Sequence, residues 1–399
     1  MTPGVGETYP SLIDDVRLRP LTTAEQQRYS RNALVPEVGG RGQQRIRASR
    51  ILVVGAGALG SPAVLYLAAA GVGTLGIIDD DDVAVSNLQR QVLHTTAAAG
   101  RPKVDSARET VAALNPDVEV VTYREALTSA NAMELLRGWD VVIDGTDNFP
   151  TRYLLGDACV LLGIPLVHGA VLRFDGQVTV FDAERGPCYR CVHPAPPDPG
   201  AVPSCAEAGV LGVLPGIVGA MQAAEALKLV IGGALPLVGR MLLINAWDGR
   251  GAELPIRKNP DCPLCGTQPT VTGLVDYEAF CGARPQGRMT LAEESDMNTI
   301  TADGLRERIA AGELPGRAFT LLDVREPHEV ELETIDGSVH IPLAQVVERR
   351  GELDPSRELI VYCAGGVRSA RAIAALEDAG YAGPMTNLEG GIKAWAASA

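Results

Sequence analysis

No clean apolar run in this chain reaches the roughly 18 residues that a membrane-spanning helix needs. The nearest candidate, Pro62 to Ile78, is cut by Gly71, Gly73 and Gly76. The N-terminus has no basic segment followed by an apolar one, so we expect a soluble, cytoplasmic protein with no membrane partner. Basic residues are outnumbered, 35 against 49, and the net charge of −14 is spread along the chain. That balance argues against a nucleic-acid or anionic-membrane binder. Lysine is scarce, 4 against 31 arginines, so a lysine inside a motif hints that a compact ammonium is wanted there. The chain also lacks internal repeats, low-complexity tracts and any Walker G-x-x-x-x-G-K-[ST] string.

At 399 residues the chain has room for two or three compact units. Residues 1–20 read as a weakly patterned N-terminal extension, and Thr22 to Asn32 reads as a helix with a Thr cap and Glu25 three residues on. Strands at Ile51–Val54, Leu75–Ile78, Val118–Val121, Asp140–Ile143 and Pro165–Val167 then alternate with helices at Ser61–Ala70, Pro102–Leu114 and Arg152–Leu162. This order predicts an α/β fold, a Rossmann-like doubly wound sheet. Gly176–Phe181 switches to period two, as an added antiparallel strand does, and Ile217–Ile231 has the spacing of a core helix. Residues 268–297 have a linker composition. They separate a first domain, 21–267, from a smaller α/β domain, 298–399, where we expect helices at Ala302–Ala311, Ala344–Arg349, Ser369–Ala379 and around Ile392–Trp395, and strands at Phe319–Val324 and Leu359–Cys363.

The first strand runs into Gly55-Ala-Gly57-Ala-Leu-Gly60, whose glycines allow a tight turn and close approach to a phosphate at the helix N-terminus. Asp79 follows 24 residues after Gly55, the spacing of an acid that holds a ribose hydroxyl. An NAD-dependent oxidoreductase would share both features. A nicotinamide ring needs a flat apolar slot, however, whereas the next stretch supplies Asn87, Arg90 and several carboxylates, and Lys103 opens the following helix. Asp144-Gly-Thr-Asp147-Asn148 closes a later strand at the edge where α/β sheets bind ligands. This set suits a triphosphate. Taken singly, Asn87 or Asp147 could be a helix cap and Arg90 a surface cation.

Two Cys-x-x-Cys pairs, Cys188/Cys191 and Cys262/Cys265, offer four thiolates for a structural zinc; His193 is an alternative ligand. Cys205 sits in a Gly/Pro-rich stretch that favours exposure, Cys159 in an apolar helix that favours the core, and Cys281 in the linker with no assigned role. Cys363 ends a strand and is followed by Ala-Gly-Gly366-Val-Arg368. Backbone N–H groups there can converge on one sulfur while Arg368 and the helix N-terminus add positive potential, a cradle for a persulfide anion. Asp323 and Arg325 read as a buried structural pair.

The strings G-A-G-A-L-G, S-N-L-Q-R-Q, G-R-P-K, D-G-T-D-N and S-C-A-E-A-G-V, in this order over roughly residues 21 to 267, resemble the ubiquitin-activating superfamily. The closest resemblance within it is to the molybdopterin-synthase and thiamine sulfur-carrier adenylyltransferases. The resemblance implies ATP contacts at Gly57, Asp79, Asn87, Arg90 and Lys103, with Asp147 as a Mg2+ ligand. It also implies a homodimer in which Arg31 reaches the partner copy's phosphates, a zinc tetrathiolate, and a covalent role for Cys205. The substrate implied is the C-terminal carboxylate of a ubiquitin-like sulfur carrier ending in Gly-Gly, ionised at neutral pH without a general base. Catalysis then rests on cations and geometry.

Residues 298 to 399 resemble rhodanese-like sulfurtransferases through L-D-V-R-E-P, the loop after Cys363 and the N-L-E-G-G-I-K-A-W ending. Family loops often carry a basic residue after the cysteine, where this chain has Ala364. Together the halves imply adenylation of a carrier, then sulfur transfer from Cys363 to give a thiocarboxylate. Molybdenum cofactor synthesis is favoured over thiamine, cysteine or tRNA thiolation, with a cysteine desulfurase or thiosulfate as sulfur donor.

Overall fold

The structure is a computed structural model that describes residues 8–197, 208–282 and 298–398; Cys205 lies outside the described residues. The chain divides into two compact units, 1–284 and 285–399.

The first unit is built on eight strands: β1 Arg50–Val54, β2 Thr74–Ile78, β3 Glu119–Tyr123, β4 Val141–Asp144, β5 Leu166–Leu172, β6 Asp175–Phe181, β7 Arg240–Asn245 and β8 Arg250–Pro255. They lie in the order β3-β2-β1-β4-β5-β6-β7-β8. The first five are parallel, and β6 to β8 extend the sheet antiparallel. β1 and β2 are almost wholly buried, which is why they read as unbroken apolar runs rather than alternating ones. The predicted helices form at Gly60–Ala70, Lys103–Leu114, Phe149–Leu162 and Val213–Ile231. The last of these is long and apolar enough to cross a membrane by length and composition. Instead it forms part of the core, burying Leu214, Val218, Ala226 and Leu229 together with Gln222 and Glu225.

One local expectation needs correction, and two stretches of weak pattern also pack onto this unit. The predicted Thr22–Asn32 helix starts with the expected Thr22/Glu25 capping box but ends at Arg28, and a second short helix follows at Ser30–Ala33. The break falls at buried Tyr29, whose hydroxyl accepts a hydrogen bond from Asn115, so a tertiary contact overrides the local pattern. The N-terminal extension is tied down: Tyr9 pairs with Ala234 and Gly233 through the backbone and donates its hydroxyl to Asp182 at 2.6 Å. Part of the stretch read as a linker also packs. Tyr277 and Cys281 are buried against the Phe149–Leu162 helix, and Tyr277 donates to Asp157 at 2.6 Å. Asp157 in turn takes both prongs of Arg190 at 2.7 Å. A buried acid held by two partners anchors this segment together with its apolar packing.

The second unit is a five-stranded parallel sheet. Its strands are β9 Asn298–Ile300, β10 Phe319–Asp323, β11 Val339–His340, β12 Glu358–Tyr362 and β13 Met385–Leu388, in the order β11-β10-β12-β13-β9. Helices Ala302–Ala310, Val367–Asp378 and Gly391–Ala397 match expectation. Ala344–Arg349 does not: only a 3-10 turn, Leu343–Gln345, forms there. The Asp323–Arg325 pair is buried as read, with Arg325 forked onto Asp323 at 2.6 to 3.1 Å and also donating to the carbonyl of Glu333.

Candidate active sites

Strand order reverses between β1 and β4, and the chain leaving each strand's C-terminal end meets the other there. Gly55 adopts φ +94°, and a Cβ on it would lie 2.8 Å from the carbonyl oxygen of Gly145. A Cβ on Gly60 would sit 1.8 Å from the Gly55 oxygen. These two glycines are therefore needed to close the turn. Gly57 differs: a Cβ there would meet nothing nearer than the Gln91 amide nitrogen at 3.7 Å. Its face is open, as close approach by a ligand requires.

Asp79, only 9% exposed, ties the turn to the next strand. One carboxylate oxygen accepts from Ala56 N–H at 2.7 Å and the other from Asp81 N–H at 2.9 Å. Burial pushes its carboxyl above the usual range despite the opposing charge of Lys103. Lys103 is buried and donates to Asp81 at 2.7 Å, with Asp79 at 3.7 Å. The structure thus brings Gly55, Gly57, Gly60, Asp79 and Lys103 together. Asn87 ends the 3-10 turn Val85–Asn87, and Arg90, just after it, donates to the Asn87 side chain at 3.1 Å. Asp147 is exposed. Asn148, not Asp147, caps the following helix, accepting from Thr151 N–H. Arg31 is exposed on the Ser30–Ala33 helix and has no hydrogen-bond or ion-pair partner among the described residues.

Three buried groups in this site escaped sequence reading. His94 donates Nε2–H to the Ala56 carbonyl at 2.9 Å and accepts from Ser106 at 3.0 Å. Burial holds its imidazole below the usual range, so it stays neutral and props the turn from behind. Gln91, beside Gly57, keeps a buried Oε1 with no partner among the described residues. Under the Asp144–Asn148 loop, His168 donates to Asp144 at 2.8 Å, and both are at most 1% exposed. Burial opposes ionisation of Asp144, but the His168 contact outweighs it and the carboxyl is held below its usual range. Gln91 lies inside the S-N-L-Q-R-Q string and was legible there; the two histidines carry no local signal.

The four paired cysteines converge. Their sulfurs lie within 4.8 Å of one another, with Cys188–Cys262 at 3.6 Å, Cys188–Cys191 at 3.8 Å and Cys191–Cys265 at 3.4 Å. Tetrahedral zinc with Zn–S bonds of about 2.3 Å spaces its sulfurs about 3.8 Å apart, so this set can hold zinc. The backbone N–H of Asn259 points at the Cys191 sulfur at 3.3 Å, an outer contact typical of such centres. Four sulfurs complete the shell without His193.

In the second unit Cys363 is 1% exposed. Its sulfur accepts from Gly366 N–H at 3.1 Å, and the Ser369 hydroxyl lies 3.5 Å away. Gly366 takes φ +94° to aim that N–H. Arg368, expected to add positive potential there, forks onto Glu329 at 2.7 and 2.8 Å.

Residues 29–264 match the ThiF family and residues 301–398 match the rhodanese-like domain. The chain belongs to the ThiF family. It is 44% identical over 382 residues to a Mycobacterium tuberculosis protein named probable adenylyltransferase/sulfurtransferase MoeZ, covering 94% of each chain. It is 43% identical over 404 residues to mouse (Mus musculus) adenylyltransferase and sulfurtransferase MOCS3, covering 94% of this chain and 86% of that one. A Thermus thermophilus sulfur carrier protein adenylyltransferase is 55% identical over 268 residues, 66% of this chain and 99% of its own. Among solved structures, Escherichia coli MccB with ATP is similar at TM-score 0.53 and 18% identity, covering 60% of this chain and 74% of that one, a likeness of fold. This ThiF-family chain with its rhodanese-like domain is thus an adenylyltransferase and sulfurtransferase, as its motifs implied.

Proposed function

We propose that this ThiF-family enzyme adenylates the C-terminal Gly-Gly carboxylate of a ubiquitin-like sulfur carrier and then replaces AMP with sulfur from Cys363, giving a thiocarboxylate for molybdenum cofactor synthesis. The observation that carries the reading is the buried Lys103–Asp79–glycine-turn cluster at the switch point, in one chain with a cysteine sulfur cradled by Gly366 N–H.

In the first step a carrier carboxylate oxygen bonds to the α-phosphorus of ATP as the bond to pyrophosphate breaks. Lys103 and Arg90 supply positive charge, Gly57 leaves room for the phosphates, Asp79 accepts from the ribose, and Gln91 finds its missing donor in the nucleotide. Asp147 would hold Mg2+, which binds through one or two carboxylates plus substrate phosphates and supplies charge neutralisation. The four cysteines would hold Zn2+ as a structural clamp. Arg31, exposed and without a partner among the described residues, fits a role on the triphosphate of the other subunit in a homodimer.

In the second step the terminal sulfur of a Cys363 persulfide bonds to the acyl carbon and AMP leaves. A second thiol, for which Cys205 is the candidate from sequence, then bonds to the Cys363 sulfur as the resulting acyl disulfide breaks, freeing the thiocarboxylate and leaving a disulfide that an external dithiol reduces back to two thiols. Pyrophosphate exchange that requires both ATP and a Gly-Gly-ending carrier tests the first step. Exchange without any carrier contradicts it.

A further inference from the structure

Gly145 is pressed directly onto the glycine turn of the first unit. Its N–H donates to the Val54 carbonyl at 2.8 Å, and a Cβ on it would lie 2.8 Å from the Gly55 oxygen. Backbone meets backbone with no side chain between them, so a shift of the Asp144–Asn148 loop passes straight to the turn. Buried polar side chains to which the adenylation chemistry gives no role hold this loop in place.

Asp144, wholly buried, is the centre of that set. One of its carboxylate oxygens accepts from the Thr146 N–H at 3.0 Å and from the Thr146 hydroxyl at 2.6 Å. The other accepts from His168 Nδ1–H at 2.8 Å. Only an ionised carboxylate accepts on both oxygens, because a protonated one would turn its own hydrogen against a donor. Burial opposes that charge, and the His168 contact outweighs it. His168 is fixed in turn, its ring 5.5 Å from Tyr189 in a T-shaped contact and 5.7 Å from Phe181. The next residue, Gly169, has no side chain because Gln222 occupies the space: a Cβ there would lie 2.6 Å from the Gln222 amide carbon. Gln222 donates to the Asp144 carbonyl at 2.7 Å and to the Val167 carbonyl at 3.3 Å, tying the ends of β4 and β5 together.

We propose that His168 is a positioning residue for adenylation: through Asp144 and Thr146 it locks Gly145 against Gly55 and so sets the glycine turn for the triphosphate of ATP. This rests on ATP binding at that turn. At 1% exposure His168 acts through the loop and not on the nucleotide itself. A turn held in one geometry meets the phosphates without first having to be ordered, which is where such a lock lowers the cost of binding. In the proposed mode the ribose is held at Asp79, so loss of the lock falls on the phosphates and spares the nucleoside.

The test measures the Kd of ATP and of adenosine for the full-length protein, with magnesium present throughout. His168→Phe keeps an aromatic ring between Tyr189 and Phe181 and removes the donor. ATP should then bind about tenfold more weakly, or about 1.4 kcal/mol, while adenosine stays within about twofold. His168→Asn places an amide N–H where Nδ1 stands and should recover most of the ATP loss. ATP bound by His168→Phe as tightly as by wild type overturns the proposal. Equal weakening of ATP and adenosine, the mark of a merely structural role, overturns it as well, as does a His168→Asn protein no better than His168→Phe. If His168→Phe fails to fold, Thr146→Val decides. It removes only the hydroxyl on Asp144 and should weaken ATP but not adenosine; unchanged ATP affinity there overturns the proposal too. Wild-type protein that binds no ATP would instead sink the adenylation reading itself.

Discussion

Replacing Lys103 by Met separates what this side chain does for the fold from what it does for the reaction. Its ammonium is 2.7 Å from Asp81 and 3.7 Å from Asp79, at 4% exposure. A charge-assisted hydrogen bond contributes about 1.5–3 kcal/mol, but the Asp81 side chain is 67% exposed, so solvent reduces this to about 1 kcal/mol. Loss of Lys103 also removes the charge that opposes burial of Asp79. The Asp79 carboxyl then rises further, and its hold on Ala56 and Asp81 N–H weakens. The catalytic cost is larger. Removing a group that faces charge developing in the transition state costs about 10²–10³ in rate, or about 2.7–4 kcal/mol. We therefore expect Lys103→Met to unfold in urea within about 1–2 kcal/mol of wild type, yet to lose two to three orders of magnitude in carrier-dependent pyrophosphate exchange. Lys103→Arg should not restore activity, because a planar fork does not fit a site built around a buried ammonium. Exchange within threefold of wild type, with ATP affinity unchanged, would refute this reasoning.

Three further outcomes follow from the same geometry. Asp157→Ala strands the buried Arg190 and frees Tyr277, so it should cost about 3–5 kcal/mol in denaturant unfolding; a loss under about 1 kcal/mol contradicts the anchoring role. His94 has a folded-state value below its unfolded one, so the unfolded chain binds more protons as pH falls below about 6.5. Stability is lost on acidification through that window, by at most about 1.4 kcal/mol per pH unit. His94→Gln should flatten this dependence in thermal melts, and an unchanged slope would assign the effect elsewhere. Elemental analysis should find one zinc per chain, lost in Cys262→Ser together with much of the thermal stability; equal metal content in both proteins refutes the tetrathiolate.

Legibility in the sequence followed the range of the interactions involved. The glycine turn, the Cys-x-x-Cys pairs and the loop after Cys363 are local strings whose spacing carries their chemistry, and the structure assembles each of them. The central parallel strands were readable because burial on both faces leaves apolar runs. β7 and β8 were not: β8 is exposed throughout, so no apolar face announces it. His94 and the His168–Asp144 pair act across 38 and 24 residues, and no window reveals such partners. The Glu329–Arg368 pair, 39 residues apart, is the same case. Tyr277 lies in a stretch of linker composition, yet its ring packs into the core and its hydroxyl bonds to a buried acid.

The most direct test is intact-mass analysis of a Gly-Gly-ending carrier incubated with ATP, magnesium, a persulfide donor and either wild-type or Cys363→Ser protein. Wild type should release pyrophosphate and leave the carrier with one oxygen replaced by sulfur. Cys363→Ser should still release pyrophosphate and leave no sulfur on the carrier. Sulfur incorporation by Cys363→Ser, or an unmodified carrier and no pyrophosphate with wild type, would contradict the coupling of the two sites.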